Sequence, residues 1–300
     1  MAGRFAPSPT SALHLGNLRT ALVAWLAARG SGREVLLRIE DLDQQRVAAA
    51  PAVAAGQIAD LRALGLDFAG DVVWQSDRLD RYAAAVAGLP TYECFCTRRE
   101  IAEAASAPHG DGYRPYPGTC RDLTESQRDQ RRRTRPPALR VRADGAVQTV
   151  FDVLVGEVTG VVDDFVVVRN DGVPAYNLAV VVDDIAQGVD QVVRGDDLLS
   201  SSPRQAWLTR RLGGTVAQYL HVPLAVNADG RRLAKRDGSV TLADLAAEGI
   251  RPDQVLSLLA SSLKLAGPDE QVTPSQLVGR FDPARLPREP WVVTGRPTTD

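Results

Sequence analysis

The opening of the chain switches between two apolar periods. Gly3-Arg4-Phe5-Ala6-Pro7 is short, and the residues before Pro7 and Pro9 are steered away from helix, so it reads as a strand running into a turn. From about Asn17 to Arg29, Leu18, Ala21, Leu22, Trp25 and Leu26 recur at helical spacing, and Gly30 and Gly32 close the helix. Val35-Leu36-Leu37-Arg38-Ile39 then reads as a strand ending in Glu40-Asp41-Leu42-Asp43. Strand, helix, strand in this order predicts a βαβ unit of a doubly wound parallel sheet.

Further helices are expected from about Ala49 to Gly65 and from Arg78 to Ala87. Between Thr91 and Arg142 long apolar runs give way to Cys, Pro, Gly, Tyr and Arg, as in an inserted loop-rich module. Val150 to Val168 alternates, with Gly156, Gly160 and Asp163-Asp164 as turns, and reads as short strands. Ala179-Val180-Val181-Val182-Asp183-Asp184 and Gln191-Val192-Val193-Arg194-Gly195 read as buried strands, and Pro203 to Leu212 as a helix. From about Pro252 the chain is helical and loop-like, with a Thr-Pro-rich tail expected to fray.

Composition narrows the class. Hydrophobic residues make up 44% and charged residues 24% of 300, which excludes wholesale disorder. No apolar run approaches the roughly 20 residues of a membrane helix, and the start, MAGRFAPSPTSALHL, lacks the basic and apolar stretches of a secretory signal. A soluble, cytoplasmic protein without membrane contact is expected. The formal charge of −2 does not announce nucleic-acid binding, although Arg131, Arg132, Arg133 and Arg135 form a local basic cluster. Of the 35 basic residues only Lys235 and Lys264 are lysines, so each marks a place where a compact point charge stands among guanidinium groups.

Three constellations carry chemistry. In Ser11-Ala12-Leu13-His14-Leu15-Gly16-Asn17 a histidine, a glycine and a capping residue precede a helix, where backbone N–H groups favour phosphate and His14 and Asn17 add donors. Far downstream, Gly230 and Gly238 bound a basic loop holding Arg231, Arg232, Leu233, Ala234, Lys235 and Arg236, suited to closing on phosphates. Cys94, Cys96 and Cys120 are odd in number and close in sequence, which favours a metal over disulfides. Three thiolates leave one tetrahedral position, and residue-type frequencies nominate His109 for it.

Taken together, Arg4-Phe5-Ala6-Pro7-Ser8-Pro9-Thr10, His14-Leu15-Gly16-Asn17 and Arg38-Ile39-Glu40-Asp41-Leu42-Asp43 resemble the catalytic core of class I glutamyl-tRNA synthetases. Arg232-Leu233-Ala234-Lys235-Arg236 is similar to their second ATP motif, Lys-Met-Ser-Lys-Ser, with Arg232 and Ala234 departing from it. Tyr176 to Asp184, Val193 to Leu199 and Pro203-Arg204-Gln205 continue the likeness in order. The resemblance implies a Rossmann-type catalytic domain over 1–90 and 170–222, an inserted zinc-bearing module over 91–169, and the second ATP motif with a short helical carboxyl region over 223–300.

About sixty residues follow Gly238, too few for the anticodon-binding region of a full glutamyl-tRNA synthetase. A core of this size resembles the glutamyl-Q tRNA(Asp) synthetases, which activate glutamate without tRNA and transfer it to queuosine in the anticodon of tRNA(Asp). That resemblance implies ATP with Mg²⁺, L-glutamate and queuosine-modified tRNA(Asp) as partners, and a monomer. It assigns ATP to His14, Gly16, Asn17 and residues 232–236, with His14, Asn17 and Lys235 catalytic. It assigns glutamate to Arg4, Phe5, Ala6, Pro7, Ser8, Glu40, Tyr176 and Arg194. For one structural Zn²⁺ it names Cys94, Cys96, Tyr116 and Cys120, with Tyr116 in place of His109. A shortened synthetase charging a tRNA 3′ end, or a non-catalytic binding paralogue, are the alternatives.

Overall fold

The computed structural model describes residues 1–43, 50–97, 99–101, 115–231, 233, 240–268 and 270–293. Strand β1 (Ala2–Phe5), helix α1 (Leu15–Gly30) and strand β2 (Glu34–Ile39) form the expected unit, with β1 and β2 parallel and Gly3 opposite Val35. A Cβ on Gly3 would lie 2.8 Å from the Cβ of Ala28, so glycine lets α1 settle directly onto β1. Helix α1 is apolar on nearly every side because it is covered twice, by the sheet beneath and by helices near the carboxyl end above.

Helix α2 (Ala50–Ala63), strand β3 (Val73–Trp74), helix α3 (Leu79–Ala87) and strand β4 (Thr91–Cys94) follow. Next come helix α4 (Glu125–Arg132) and strands β5 (Ala138–Val141), β6 (Val147–Asp152), β7 (Gly156–Val161) and β8 (Val166–Val168). Helix α5 (Tyr176–Ala186), strand β9 (Val189–Gly195), helix α6 (Ser202–Arg211), and strands β10 (Gln218–Val222) and β11 (Ala225–Val226) complete the sheet region. Helices α7 (Leu242–Ala247), α8 (Pro252–Ser262) and α9 (Pro274–Val278) and strand β12 (Trp291–Val292) close the chain.

Among the described residues the large sheet has the order β3-β2-β1-β9-β10-β6-β7, parallel throughout except for β7, which pairs antiparallel with β6. The chain runs outward from β1 through β2 and β3 on one side and through β9 and β10 on the other. The gap between the carboxyl ends of β1 and β9 is therefore the switch point where open α/β sheets bind ligands. Among the described residues no helix is long and apolar enough to cross a membrane.

Two elements differ from the sequence expectation. Residues 147–161, grouped above with the inserted module, lie on the edge of the large sheet, whereas β4, β5 and β8 form a separate antiparallel sheet beside the cysteines. Ala179 to Asp184, expected as a strand, lies within helix α5. A short β-branched run does not by itself distinguish a strand from a fully buried helix, and the two carboxylates decide it. A strand would send Asp183 and Asp184 to opposite faces. On the helix both reach Arg38 of β2, at 3.7 and 2.8 Å.

Asp183 is fully buried and also receives Gln75 Nε2 (2.9 Å), Arg78 Nε (2.6 Å) and the Tyr82 hydroxyl (2.8 Å). It thereby joins β2, the turn after β3, α3 and α5. On the other face of the sheet, buried Arg19 of α1 donates to Ser262 of α8 (3.1 Å) and to the Pro223 carbonyl (2.9 Å), and burial pulls its pKa down to about 10. Asp183→Ala removes one partner of a buried charge pair and strands the others. The expected loss is about 3–5 kcal/mol of stability in urea unfolding.

Candidate active site

A cavity of about 630 Å³ opens at the switch point. Arg4, Phe5, Ala6, Pro7 and Ser8 leave the end of β1, Glu40 leaves β2, Arg194 ends β9 and Tyr176 begins α5, and all eight line it. Glu40 is brought beside the Pro7 turn by its own backbone N–H, which donates to the Pro7 carbonyl at 3.0 Å. Gln57 of α2, which the sequence analysis missed, holds the same turn by donating to the carbonyls of Ser8 (3.2 Å) and Ser11 (2.7 Å).

The electrostatics of this end are set by Arg4 and Arg38. Asp184 receives Arg4 Nε at 3.3 Å and Arg38 Nη2 at 2.8 Å, and despite burial the two guanidinium groups hold its carboxyl below the usual range. Glu40 lies 3.7 Å from Arg38, too far for a hydrogen bond, and burial, only partly offset by Arg38 and Arg4, pushes its pKa up. Arg194 is buried and donates to His221, Tyr176, Gln205, Leu198 and Ser202. His221 and Ser202 were not singled out from the sequence, and Gln205 entered only as part of the Pro203-Arg204-Gln205 likeness, with no role. The one signal was rarity, since the chain has three histidines.

His14, Gly16 and Asn17 line the other end of the cavity. His14 is the N-cap of α1: its Nδ1 accepts from the N–H groups of Gly16 (3.1 Å) and Asn17 (3.3 Å), while Asn17 Oδ1 accepts from the His14 N–H (3.3 Å). This corrects one expectation, because the first-turn amides serve the cap rather than standing open to a phosphate. With Nδ1 accepting, the ring proton sits on Nε2, so the side-chain donors at this cap are His14 Nε2–H and Asn17 Nδ2. A Cβ on Gly16 would come within 3.0 Å of both the His14 ring and Ala225, so this cap geometry requires glycine.

Described residues flanking the second basic motif meet this cap and the cavity wall. His14 forms an antiparallel bridge with Thr241, and Leu15 N–H donates to the Val240 carbonyl at 3.1 Å. On the preceding side Leu233 is buried and its N–H donates to the carbonyl of cavity-lining Ala225 at 3.4 Å. Arg232, Ala234, Lys235 and Arg236 lie outside the described residues.

At the end of β4, the sulfur atoms of Cys94, Cys96 and Cys120 lie within 4.8 Å of one another. The Tyr116 hydroxyl is 3.4 Å from Cys94 Sγ and 3.8 Å from Cys96 Sγ, and it accepts from Cys120 N–H at 2.7 Å. Four donors thus converge, with spacings near the roughly 3.8 Å that a tetrahedron of 2.3 Å metal–sulfur bonds gives. His109 lies outside the described residues. A hydrogen bond between Cys94 and Cys120 pulls the Cys120 thiol down and pushes Cys94 up. Arg131 Nη1 sits 3.6 Å from Cys120 Sγ, and the Arg140 guanidinium lies 3.7 Å over the Tyr116 ring. Within the basic cluster, Arg132 pairs with Glu93, Glu125 and Asp129, and Arg135 with Glu100.

Comparison with known proteins agrees with this geometry. The family described as tRNA synthetases class I (E and Q), catalytic domain, matches residues 1–294. The chain is 60% identical to a glutamyl-Q tRNA(Asp) synthetase of Nocardia farcinica, across 98% of this chain and 93% of that protein. It is 56% identical to one of Cutibacterium acnes, across 95% and 85%. The crystal structure of a glutamate tRNA ligase from Elizabethkingia meningosepticum in complex with its amino acid superposes with a TM-score of 0.76 at 25% identity. It matches 94% of this chain, which spans 65% of that longer protein. By the extent of these matches, the chain belongs to the class I tRNA synthetases of the glutamate and glutamine type, within the glutamyl-Q tRNA(Asp) synthetases.

Proposed function

We propose that the protein activates L-glutamate with MgATP in the absence of tRNA and transfers the glutamyl group to queuosine in the anticodon of tRNA(Asp), in the cytoplasm. The observation that carries this reading is the single cavity. It joins an arginine-and-carboxylate end suited to an amino acid with a histidine-capped helix start suited to phosphate, in a chain whose relatives named for this activity match it along nearly their whole length.

In the first step an oxygen of the glutamate α-carboxylate attacks the α-phosphorus of ATP in line, and pyrophosphate leaves with the electrons of the broken P–O bond. Arg194 and Arg4 bind substrate carboxylate, and Tyr176 contributes a hydroxyl. Glu40 binds the substrate ammonium: it is the carboxylate least compensated by Arg4 and Arg38, and a ligand cation supplies the missing charge. His14 Nε2–H, Asn17 and Lys235 stabilise charge on the phosphates. In the second step a hydroxyl of the modified base attacks the mixed anhydride and AMP leaves.

Cys94, Cys96, Tyr116 and Cys120 would hold one Zn²⁺, which suits three soft thiolates and one oxygen and would brace the module beside the active domain. Arg131 and Arg140 offset the negative charge of such a ligand set.

Three outcomes test this reading. Radiolabelled glutamate is expected to enter queuosine-containing tRNA(Asp) and to stay with the anticodon fragment after cleavage on either side, with glutamate-dependent ATP–pyrophosphate exchange proceeding without tRNA. Label at the 3′ end of tRNA(Glu) would overturn it. The second outcome concerns pH. Ionised Glu40 is the form that pairs with ammonium, and its raised pKa keeps it protonated to higher pH than an ordinary glutamate. Glutamate kcat/KM therefore falls on the acid side from a pH above the usual carboxylate range. Glu40→Gln abolishes that limb and raises glutamate KM about 30-fold or more; a wild-type profile flat across that limb removes Glu40 from the ammonium site. Third, freshly purified protein contains one zinc, and Tyr116→Phe weakens its retention against a chelator. A protein that copurifies with no metal contradicts the assignment.

A further inference from the structure

The guanidinium of Arg194 has five N–H groups and meets five acceptors, which fall into two sets. Nε donates to His221 Nε2 at 3.0 Å, Nη1 to Gln205 Oε1 at 2.7 Å and Nη2 to Ser202 Oγ at 2.9 Å. None of these three acceptors belongs to the cavity wall. The other two do: the Tyr176 hydroxyl at 3.4 Å from Nη1 and the Leu198 carbonyl at 3.2 Å from Nη2. The short bonds hold the group from behind, and the long ones occupy the Nη1/Nη2 edge that faces the cavity.

The back of the group rests on His221, which is 1% exposed. A guanidinium N–H can only donate, so His221 Nε2 must accept, and the ring proton then sits on Nδ1. Nδ1 lies 2.7 Å from Asp152 Oδ2. Asp152 is itself fully held: Oδ2 also receives the His221 N–H at 2.9 Å, and Oδ1 receives the N–H groups of Leu154 (2.9 Å) and Val155 (3.0 Å). The Tyr219 ring stacks on the imidazole at 5.9 Å, and burial pulls the His221 pKa down, which favours the neutral acceptor.

We propose that His221, locked as its Nδ1–H tautomer by Asp152, is a positioning residue that turns the Nη1/Nη2 edge of Arg194 to the cavity. A substrate carboxylate is then received end-on by both nitrogens, displacing the Tyr176 hydroxyl and the Leu198 carbonyl. This rests on the reading of Arg194 as a carboxylate contact.

The test combines a spectroscopic and a kinetic arm on the full chain. Long-range ¹H–¹⁵N correlation near neutral pH reports the tautomer of each of the three histidines, with the His221→Gln spectrum identifying the signal of interest. His221 is expected protonated at Nδ1 and bare at Nε2; the reverse pattern overturns the proposal. His221→Phe keeps the stacked ring, and His221→Asn keeps a donor to Asp152, yet both withdraw the acceptor from Arg194. Each is expected to raise glutamate KM about 10–100-fold, the scale of a hydrogen bond to a charged group, with ATP KM unchanged. His221→Gln, which again offers an acceptor, recovers most of the loss. Unchanged glutamate KM in the Phe and Asn variants, beside a large rise in Arg194→Ala, refutes the role of His221 and leaves the glutamate site standing. An unchanged glutamate KM in Arg194→Ala removes the glutamate site itself, and the proposal with it.

Discussion

The buried meeting of Arg4 and Arg38 with Asp183 and Asp184 is the interaction on which the rest of the catalytic end depends. Each of these charges alone would cost several kcal/mol to remove from water, so the group forms as a whole or not at all. Its members come from β1, β2 and α5, which fixes the angle of that helix against the sheet. Arg38 has Asp184, Asp183 and Glu40 around it, and their combined field outweighs its own complete burial and raises its pKa. The network thus settles the placing of three segments that carry candidate substrate contacts: Arg4 to Ser8, Glu40 and Tyr176.

The two ends of the cavity are built by different means. At the end proposed for the amino acid, side chains from strand termini are held by buried ion pairs, and rigidity comes from charge satisfaction. At the end proposed for phosphate, a histidine caps the helix with one ring nitrogen and carries its proton on the other. The cap is therefore also a tautomer lock, because Nδ1 cannot both accept two amide N–H groups and carry a proton. A single side chain ties the start of α1 to the orientation of a candidate phosphate ligand.

Much of this was legible in the sequence. The opening βαβ unit and the grouping of Cys94, Cys96 and Cys120 follow from local pattern, whereas the eight cavity residues and Tyr116 came from the family resemblance; the fold brings each set together. What escaped reading depended on partners distant in the chain. The Val-Val-Val-Asp-Asp run is helical because of arginines on two other elements, and β6 and β7 join the large sheet through the Tyr219–Asp152 pairing near its edge. His221 and Gln57 were invisible for the same reason: each acts only on a group dozens of residues away.

Leu15 at the start of α1 donates its N–H to the Val240 carbonyl, and His14 bridges Thr241, so the first turn of this helix is fastened by residues far downstream in the chain. Contacts between positions so distant in sequence carry a large loop-closure cost and reward the chain only after the intervening sheet has formed. The helix cap beside the cavity is therefore a late arrival in folding: α1 can coil on its own, but the geometry of its first turn is completed only when the carboxyl region docks.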